Sequence, residues 1–411
     1  MKRALAVSPL APQDFPVLPA VRGVRAATGR LGLYNYERED LLILAFAPGA
    51  RVAGAFTRSA TRSADVDWCR AALAQGQARA LVCNAGNSNA FTGPAGLAKN
   101  AATVAAVQAL TGCAASEVFL AATGVIGQPL ASNRVAEALP ALWDALAPPD
   151  WERLARACMT TDTFPKGAGG LVDLQGVPVA LAGFAKGSGM IAPNMATLLA
   201  FLVTDAALTP AAAQAMLDAH LETSFNAITV DGDTSTSDTL LLFATGASGA
   251  PLIQGPEDPG FAPLSAAIGA AMQDLALQVV RDGEGAQKLI EVTVREAATP
   301  EDARRVASAI ANSPLVKTAI AGGDANWGRV VAATGRSGAE IVRERLSVRF
   351  GPHWTAREGG AVAHDAAAVD AHVLGRHVEI EVRLGLGAGE ARVWTCDLTH
   401  GYIDINGAYR S

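Results

Sequence analysis

An α/β fold is predicted for this chain, a layered body of sheet and helix followed by a second, smaller α/β domain. Three observations predict it. Apolar runs of strand length alternate with helix-length, Ala-rich stretches along most of the sequence. Half of the 411 residues are hydrophobic while aromatics make up only 5%, so Ala, Gly, Leu and Val carry the packing, which suits close-packed layers. The length exceeds what one core usually serves, and a break near 283–288 divides a larger domain, 1–285, from a smaller one, 286–411.

The elements follow in order. Residues 41–57 set short apolar runs on either side of Pro48-Gly49, a hairpin pattern. Val82 closes a strand that empties into the Asn/Gly/Ser loop 84–93, and 94–110 reads as an Ala-rich helix. Val118 to Ala122 is a short strand ending at Thr123-Gly124. Helical patterns at 134–146 and 150–158 are separated by Pro148-Pro149, which neither helix can absorb. Met195 to Val203 is apolar except for Thr197 and short enough for a buried strand. Thr209-Pro210 opens a helix to 224, a strand covers 239–245, and a long helix over 261–281 stops at Asp282-Gly283. Beyond the break come a strand (288–296), a helix (300–312), a strand (315–321), a helix (327–334) and strands near 340–350, 377–385 and 391–398. Residues 353–376, rich in Ala, His and Gly, are the most loop-like tract.

Composition excludes several classes. The net charge is −6 and no basic block interleaves with aromatics, so no nucleic-acid footprint exists. No apolar run approaches the ~18–20 residues that span a bilayer. Pro9, Pro12 and Pro16 break any signal-peptide core, and the cytoplasm is the expected location. Five cysteines, odd in number and without C-x-x-C, indicate neither a disulfide framework nor a zinc site. The histidines gather late in the chain without metal-ligand spacing on a helix, and no metal or cofactor is expected.

Residues 183–206 are the most informative stretch. Lys186 to Asn194 is rich in Gly, Pro and Asn and cannot continue a helix or central strand. The hydroxyl of Thr197 stands where this loop enters a core strand, a place that offers a nucleophile both exposure and rigid support. One reading makes Thr197 a strand-start threonine bonded to a neighbouring carbonyl. Another has Thr197 attack the carbonyl of the small Ala196 and cut the chain. Its new α-amine, with a pKa of about 7.7–8.0, would then be base to its own hydroxyl. The residues alone leave both open.

The run Lys186-Gly-Ser-Gly-Met-Ile-Ala-Pro-Asn-Met-Ala-Thr-Leu198 resembles the self-cleavage segment of the ornithine acetyltransferase (glutamate N-acetyltransferase) family of arginine biosynthesis. Further stretches match in family order. They are Cys83–Gly93, Ala122–Gly127, Met159–Lys166, Val230–Asp238, Arg281–Ala286, Gly322–Arg329 and Tyr402–Ser411. The resemblance implies a chain cut between Ala196 and Thr197, with Thr197 the nucleophile of both cleavage and acetyl transfer. It implies an oxyanion hole from the Thr123 hydroxyl and the Gly124 N–H, and an α2β2 assembly of the two fragments. Thr160, Lys186, Glu284, Asn406 and Ser411 match positions that hold the substrate, Lys186 its carboxylate and Glu284 its amino group. The family commonly ends in Thr where this chain has Ser411.

The implied reaction moves acetyl from N2-acetyl-L-ornithine to L-glutamate through an acetyl-Thr197 ester, and the sequence leaves acetyl-CoA open as a further donor. The alternatives are an N-terminal-Thr amidohydrolase or aminopeptidase with water as acceptor, and a non-catalytic amino-acid binder, which would keep its chain intact. Two decoys are set aside. Gly187-Ser-Gly-Met-Ile-Ala192 fits G-x-G-x-x-A, but Pro193 and a strand follow where a helix should begin. Asp231 to Asp238 resembles an acidic metal loop yet lacks the sixth-position Gly and has Leu242 at the twelfth, so it reads as a hydrogen-bonding loop.

Overall fold

The computed structural model describes residues 5–192 and 198–407, in two compact units. The larger comprises 13–226 and 233–276; the other comprises 1–12, 227–232 and 277–411.

The larger unit contains strands β1 (Val24–Gly29), β2 (Leu41–Phe46), β3 (Arg51–Phe56), β4 (Ala80–Asn87), β5 (Val118–Val125), β6 (Lys166–Leu174), β7 (Val177–Lys186), β8 (Leu199–Thr204) and β9 (Thr239–Ala244). Its helices are α1 (Ala64–Leu73), α2 (Gly93–Thr111), α3 (Arg134–Asp144), α4 (Trp151–Cys158), α5 (Pro210–Leu221) and the greater part of α6 (Phe261–Arg281). One sheet runs β1-β2-β4-β5 and the other β3-β9-β8-β7-β6. Their inner faces meet: Phe46 and Phe119 of the first pack on Phe243 of the second, with ring centroids 4.4 and 6.0 Å apart. Cys69, Ala72, Val104, Val107, Val135 and Leu139 from α1–α3 join the same core. Every residue of β2, β8 and β9 is buried, which fits strands covered on both faces rather than the alternating pattern of a half-exposed sheet.

The other unit carries strands β10 (Leu289–Ala297), β11 (Ser347–Phe350), β12 (His353–Arg357), β13 (Gly360–Ala361), β14 (His377–Arg383) and β15 (Gly389–Cys396) in one sheet, ordered β13-β12-β11-β14-β10-β15. Helices α7 (Pro300–Ala311), α8 (Pro314–Ala321), α9 (Trp327–Gly335) and α10 (Ala366–Leu374) cover one face with Val, Ile and Ala. The short α11 (His400–Asn406) follows β15.

Four sequence expectations are corrected. Pro48-Gly49 does not turn a hairpin: β2 pairs with β1 and β4, while β3 crosses to the other sheet and pairs with β9. Residues 315–321 are helix α8, because the Ser313 side chain caps the N–H of Val316 and Pro314 occupies the first turn. The tract 353–376 holds β12, β13 and α10, the last capped by Asp365. Helix α6 is long and apolar enough to cross a membrane by length and composition, but 61% of its apolar window is buried within the protein, as in a core helix.

Candidate active site

β4 and β5 run parallel and end together, with Ala85 opposite Thr123 and Gly86 opposite Gly124. Their register slips at Gly86/Asn87, and the bulge turns the two backbones toward each other. Gly124 has φ +126°, where side chains are strained, and a Cβ there would lie 2.4 Å from the Gly86 carbonyl carbon. Only glycine fits. Thr123 is buried beside it. β5 runs on past the expected stop at Thr123-Gly124 to Val125, and this strand end is held from both sides. The Ser88 hydroxyl and N–H donate to the Val125 carbonyl at 3.0 and 3.1 Å, and the Gly127 N–H donates to the Ala90 carbonyl at 3.0 Å.

Beneath the end of β4 and the residues that follow it, 84–89, lies a buried polar network. Lys99 Nζ donates to Asp65 Oδ1 at 3.1 Å and to Asn84 Oδ1 at 3.0 Å. Asn84 Nδ2 donates to the Asn87 carbonyl at 2.9 Å, and Asn89 Nδ2 donates to Asp65 Oδ2 at 2.6 Å. Such a network fixes the loop backbone, because each member satisfies another that burial would otherwise penalise.

The second focus is Asp162. It accepts from Lys166 Nζ at 2.7 Å, from the Gly187 N–H at 2.6 Å and from the Thr160 N–H at 2.9 Å. One carboxylate thereby ties the Thr160 loop to the residue after Lys186. Burial opposes its ionisation, but Lys166 and Lys186 hold it well below the usual carboxylate range. Lys186 ends β7, is 3% exposed, and closes no salt bridge among the described residues. Its charge acts on two buried carboxyl groups, Asp162 and Asp238. The Thr161 and Ser188 hydroxyls lie 2.7 Å apart and join the same loops.

The third focus is the start of β8. Thr197 and Ala196 lie outside the described residues, as does Ser411. Leu198, the next residue, is clasped twice: its N–H donates to Asp238 Oδ1 at 2.9 Å and its carbonyl accepts from the Thr239 N–H at 3.1 Å. Ser237 Oγ stands 3.5 Å from the Ser88 carbonyl oxygen. The loop that holds Leu198 therefore abuts the loop bonded to the β5 end that carries Thr123 and Gly124.

In the other unit, Asn406 Nδ2 donates to Glu284 Oε2 at 2.6 Å. The contact depends on Gly285 (φ +77°), whose Cβ would fall 2.5 Å from the Tyr402 nitrogen; only glycine lets α11 come so near. The Thr399 hydroxyl donates to the Gly285 carbonyl at 2.7 Å. The sequence-selected residues thus group as Thr123 with Gly124, Thr160 with Gly187, the residue after Lys186, through Asp162, and Glu284 with Asn406. Asp65, Lys99, Asp162, Lys166 and Asp238 were missed individually, although Asp162, Lys166 and Asp238 stand inside the quoted motifs.

Two further features concern ligands. The five cysteines are free; burial raises the Cys69, Cys83, Cys158 and Cys396 thiols, Cys158 to about 12, which makes poor nucleophiles of them. Glu291, His377 and Glu379 place three ligand atoms within 4.8 Å of one another on the sheet of the smaller unit. Glu291 is already engaged there by Arg392 at 3.2 Å.

With this geometry in hand, comparison decides the family. Residues 25–411 match the ArgJ family. The chain belongs to the ArgJ family. An arginine biosynthesis bifunctional protein ArgJ of Gluconobacter oxydans (strain 621H) is 51% identical over 412 aligned residues, spanning 100% of this chain and 97% of that one. The ArgJ protein of Rhizobium meliloti (strain 1021) is 52% identical over 409 residues, spanning 98% and 99%. The crystal structure of the arginine biosynthesis bifunctional protein ArgJ of Bacillus halodurans aligns with 51% of this chain and 98% of its own, at 42% identity and a TM-score of 0.49. The family resemblance read from the motifs holds, and with it the reading of the chain as an acyltransferase of arginine biosynthesis.

Proposed function

We propose that the protein cuts itself between Ala196 and Thr197 and then transfers acetyl from N2-acetyl-L-ornithine to L-glutamate by a ping-pong route through acetyl-Thr197. One observation carries this reading. The strand that follows Thr197 is anchored at Leu198 by Asp238, and the loop making that anchor abuts the loop bonded to the β5 end that carries Thr123 and Gly124. A nucleophile at the head of a fixed strand and a pair of converging donors are the two parts that acyl transfer needs.

Thr123 Oγ and the Gly124 N–H stabilise the tetrahedral oxyanion, first of the Ala196 carbonyl and later of the acetyl group. The freed Thr197 amine acts as base. Lys186 receives the substrate carboxylate and Glu284 its amino group, while Asn406, Ser411 and Thr160, whose N–H donates to Asp162, receive its α-amino and α-carboxylate groups. The relatives' printed name, arginine biosynthesis bifunctional protein, supports an arginine-biosynthesis reaction with more than one activity; acetyl-CoA would be the further donor. The fragments assemble as α2β2.

The test is product analysis on one preparation. Acetylornithine with glutamate yields ornithine and N-acetylglutamate in equal amounts, and acetyl-CoA with glutamate yields N-acetylglutamate. Acetate released in place of N-acetylglutamate would instead make water the acceptor and the protein an N-terminal-Thr amidohydrolase.

A further inference from the structure

Two segments of the larger unit meet on the two oxygens of Asp162. Oδ2 accepts the Thr160 N–H at 2.9 Å. Oδ1 accepts Lys166 Nζ at 2.7 Å and the N–H of Gly187, the residue after Lys186, at 2.6 Å. Lys166 opens β6 and Lys186 closes β7, on neighbouring antiparallel strands in which Lys166 lies opposite Ala185. Both lysines are buried, but only one is spent on the fold. The Lys166 ammonium pairs with Asp162, both side chains 0% exposed. Lys186 closes no salt bridge among the described residues. The Thr161 and Ser188 hydroxyls, 2.7 Å apart, join the same two segments a second time.

This junction needs a carboxylate. Both oxygens accept, so an amide in either orientation would turn its NH2 toward a donor: the Thr160 N–H on one side, or Lys166 Nζ and the Gly187 N–H on the other. One of the two segments would then come loose.

We propose that Asp162 is a positioning residue of the substrate pocket, with Lys166 as its counter-ion, so that the Lys186 ammonium is left for the carboxylate of the ligand. The inference rests on the substrate contacts proposed above for Thr160 and Lys186. Asp162 touches backbone rather than ligand and acts by fixing Gly187 and Thr160 as one unit. A charge-assisted contact depends on distance and angle, and Lys186 keeps its aim only while the peptide that follows it is held.

The test is calorimetric titration with L-ornithine and with putrescine, which is ornithine without its carboxylate. Wild type, Asp162→Asn, Asp162→Asn/Lys166→Met and Lys186→Met are compared, with thermal unfolding of each. Wild type is expected to bind ornithine the more tightly. Asp162→Asn, like Lys186→Met, is expected to lose about 10–10²-fold in affinity for ornithine and less than about threefold for putrescine. If Asp162→Asn does not fold, the double variant, which leaves neither charge of the pair without its partner, carries the same comparison. A variant that keeps the wild-type preference for ornithine, or that weakens both ligands alike, overturns the positioning role. A wild type that binds the two equally, or neither, overturns the Lys186 carboxylate contact itself, and the role of Asp162 falls with it.

Discussion

Gly124 and Gly86 meet backbone to backbone across two parallel strand ends, so near that a Cβ on Gly124 would stand 2.4 Å from the Gly86 carbonyl carbon. Gly124→Ala must either push β4 and β5 apart or abandon φ +126°. Either change turns the Gly124 N–H away from its target. The variant is expected to lose cleavage and transfer together, with the 411-residue chain accumulating on denaturing gels. Normal cleavage in Gly124→Ala would remove this strand end from the mechanism.

Thr123→Ala separates binding from chemistry. With Thr123 as the proposed oxyanion donor, its loss is expected to lower kcat on the order of 10²–10³-fold and to leave KM for acetylornithine nearly unchanged. Steady-state kinetics check this. A raised KM at constant kcat would mean that Thr123 binds the ground state only.

Lys166→Met addresses the Asp162 anchor. Both side chains of the pair are fully buried. Removing the cation leaves a buried carboxylate with its main partner gone, at a cost of about 3–5 kcal/mol. Denaturant unfolding measures that loss, and KM for acetylornithine rises because the Thr160 and Gly187 N–H groups share the same carboxylate. An unchanged unfolding midpoint would show that the pair contributes nothing.

Part of this site was legible in the sequence because its pieces are local. The apolar strand leading to Thr123-Gly124 was expected, although β5 runs on through both residues to Val125. A core strand was expected over Met195 to Val203, of which Leu199–Val203 lie in β8 and 195–197 lie outside the described residues. The partnerships were not legible, since Asp238 reaches Leu198 across 40 positions and Lys99 reaches Asp65 across 34. The Pro48-Gly49 hairpin failed for a related reason. A turn signal marks where the chain reverses, but β2, buried on both faces, needs neighbours on both edges and takes β1 and β4. Helix α8 was mistaken for a strand because its apolar run is only eight residues long, a length at which the Ser313 cap is a better guide than periodicity.

The smaller unit carries a pH dependence of its own. His377 lies 3.6 Å from Glu291, and that contact raises the imidazole above its ordinary value. The folded state therefore binds the proton more tightly than the unfolded chain. The stabilisation is complete below about pH 6.5 and fades as pH rises through the higher folded value. In urea titrations, wild type should exceed His377→Gln in stability in mildly acidic buffer and lose that margin in mildly alkaline buffer. A margin constant across that range would contradict the pairing.

The central claim, that Thr197 becomes an N-terminal nucleophile and carries the acetyl group, is tested most directly by intact-mass spectrometry of active protein mixed with acetylornithine alone. The account predicts two chains, 1–196 and 197–411, of about 20 and 22 kDa in proportion to 42.0 kDa for the whole. It predicts that the heavier chain gains one acetyl group, mapped to Thr197, as a stoichiometric burst of ornithine appears. Active protein present only as the uncut chain, or a reaction in which no acetylated 197–411 chain forms at any time, would contradict it.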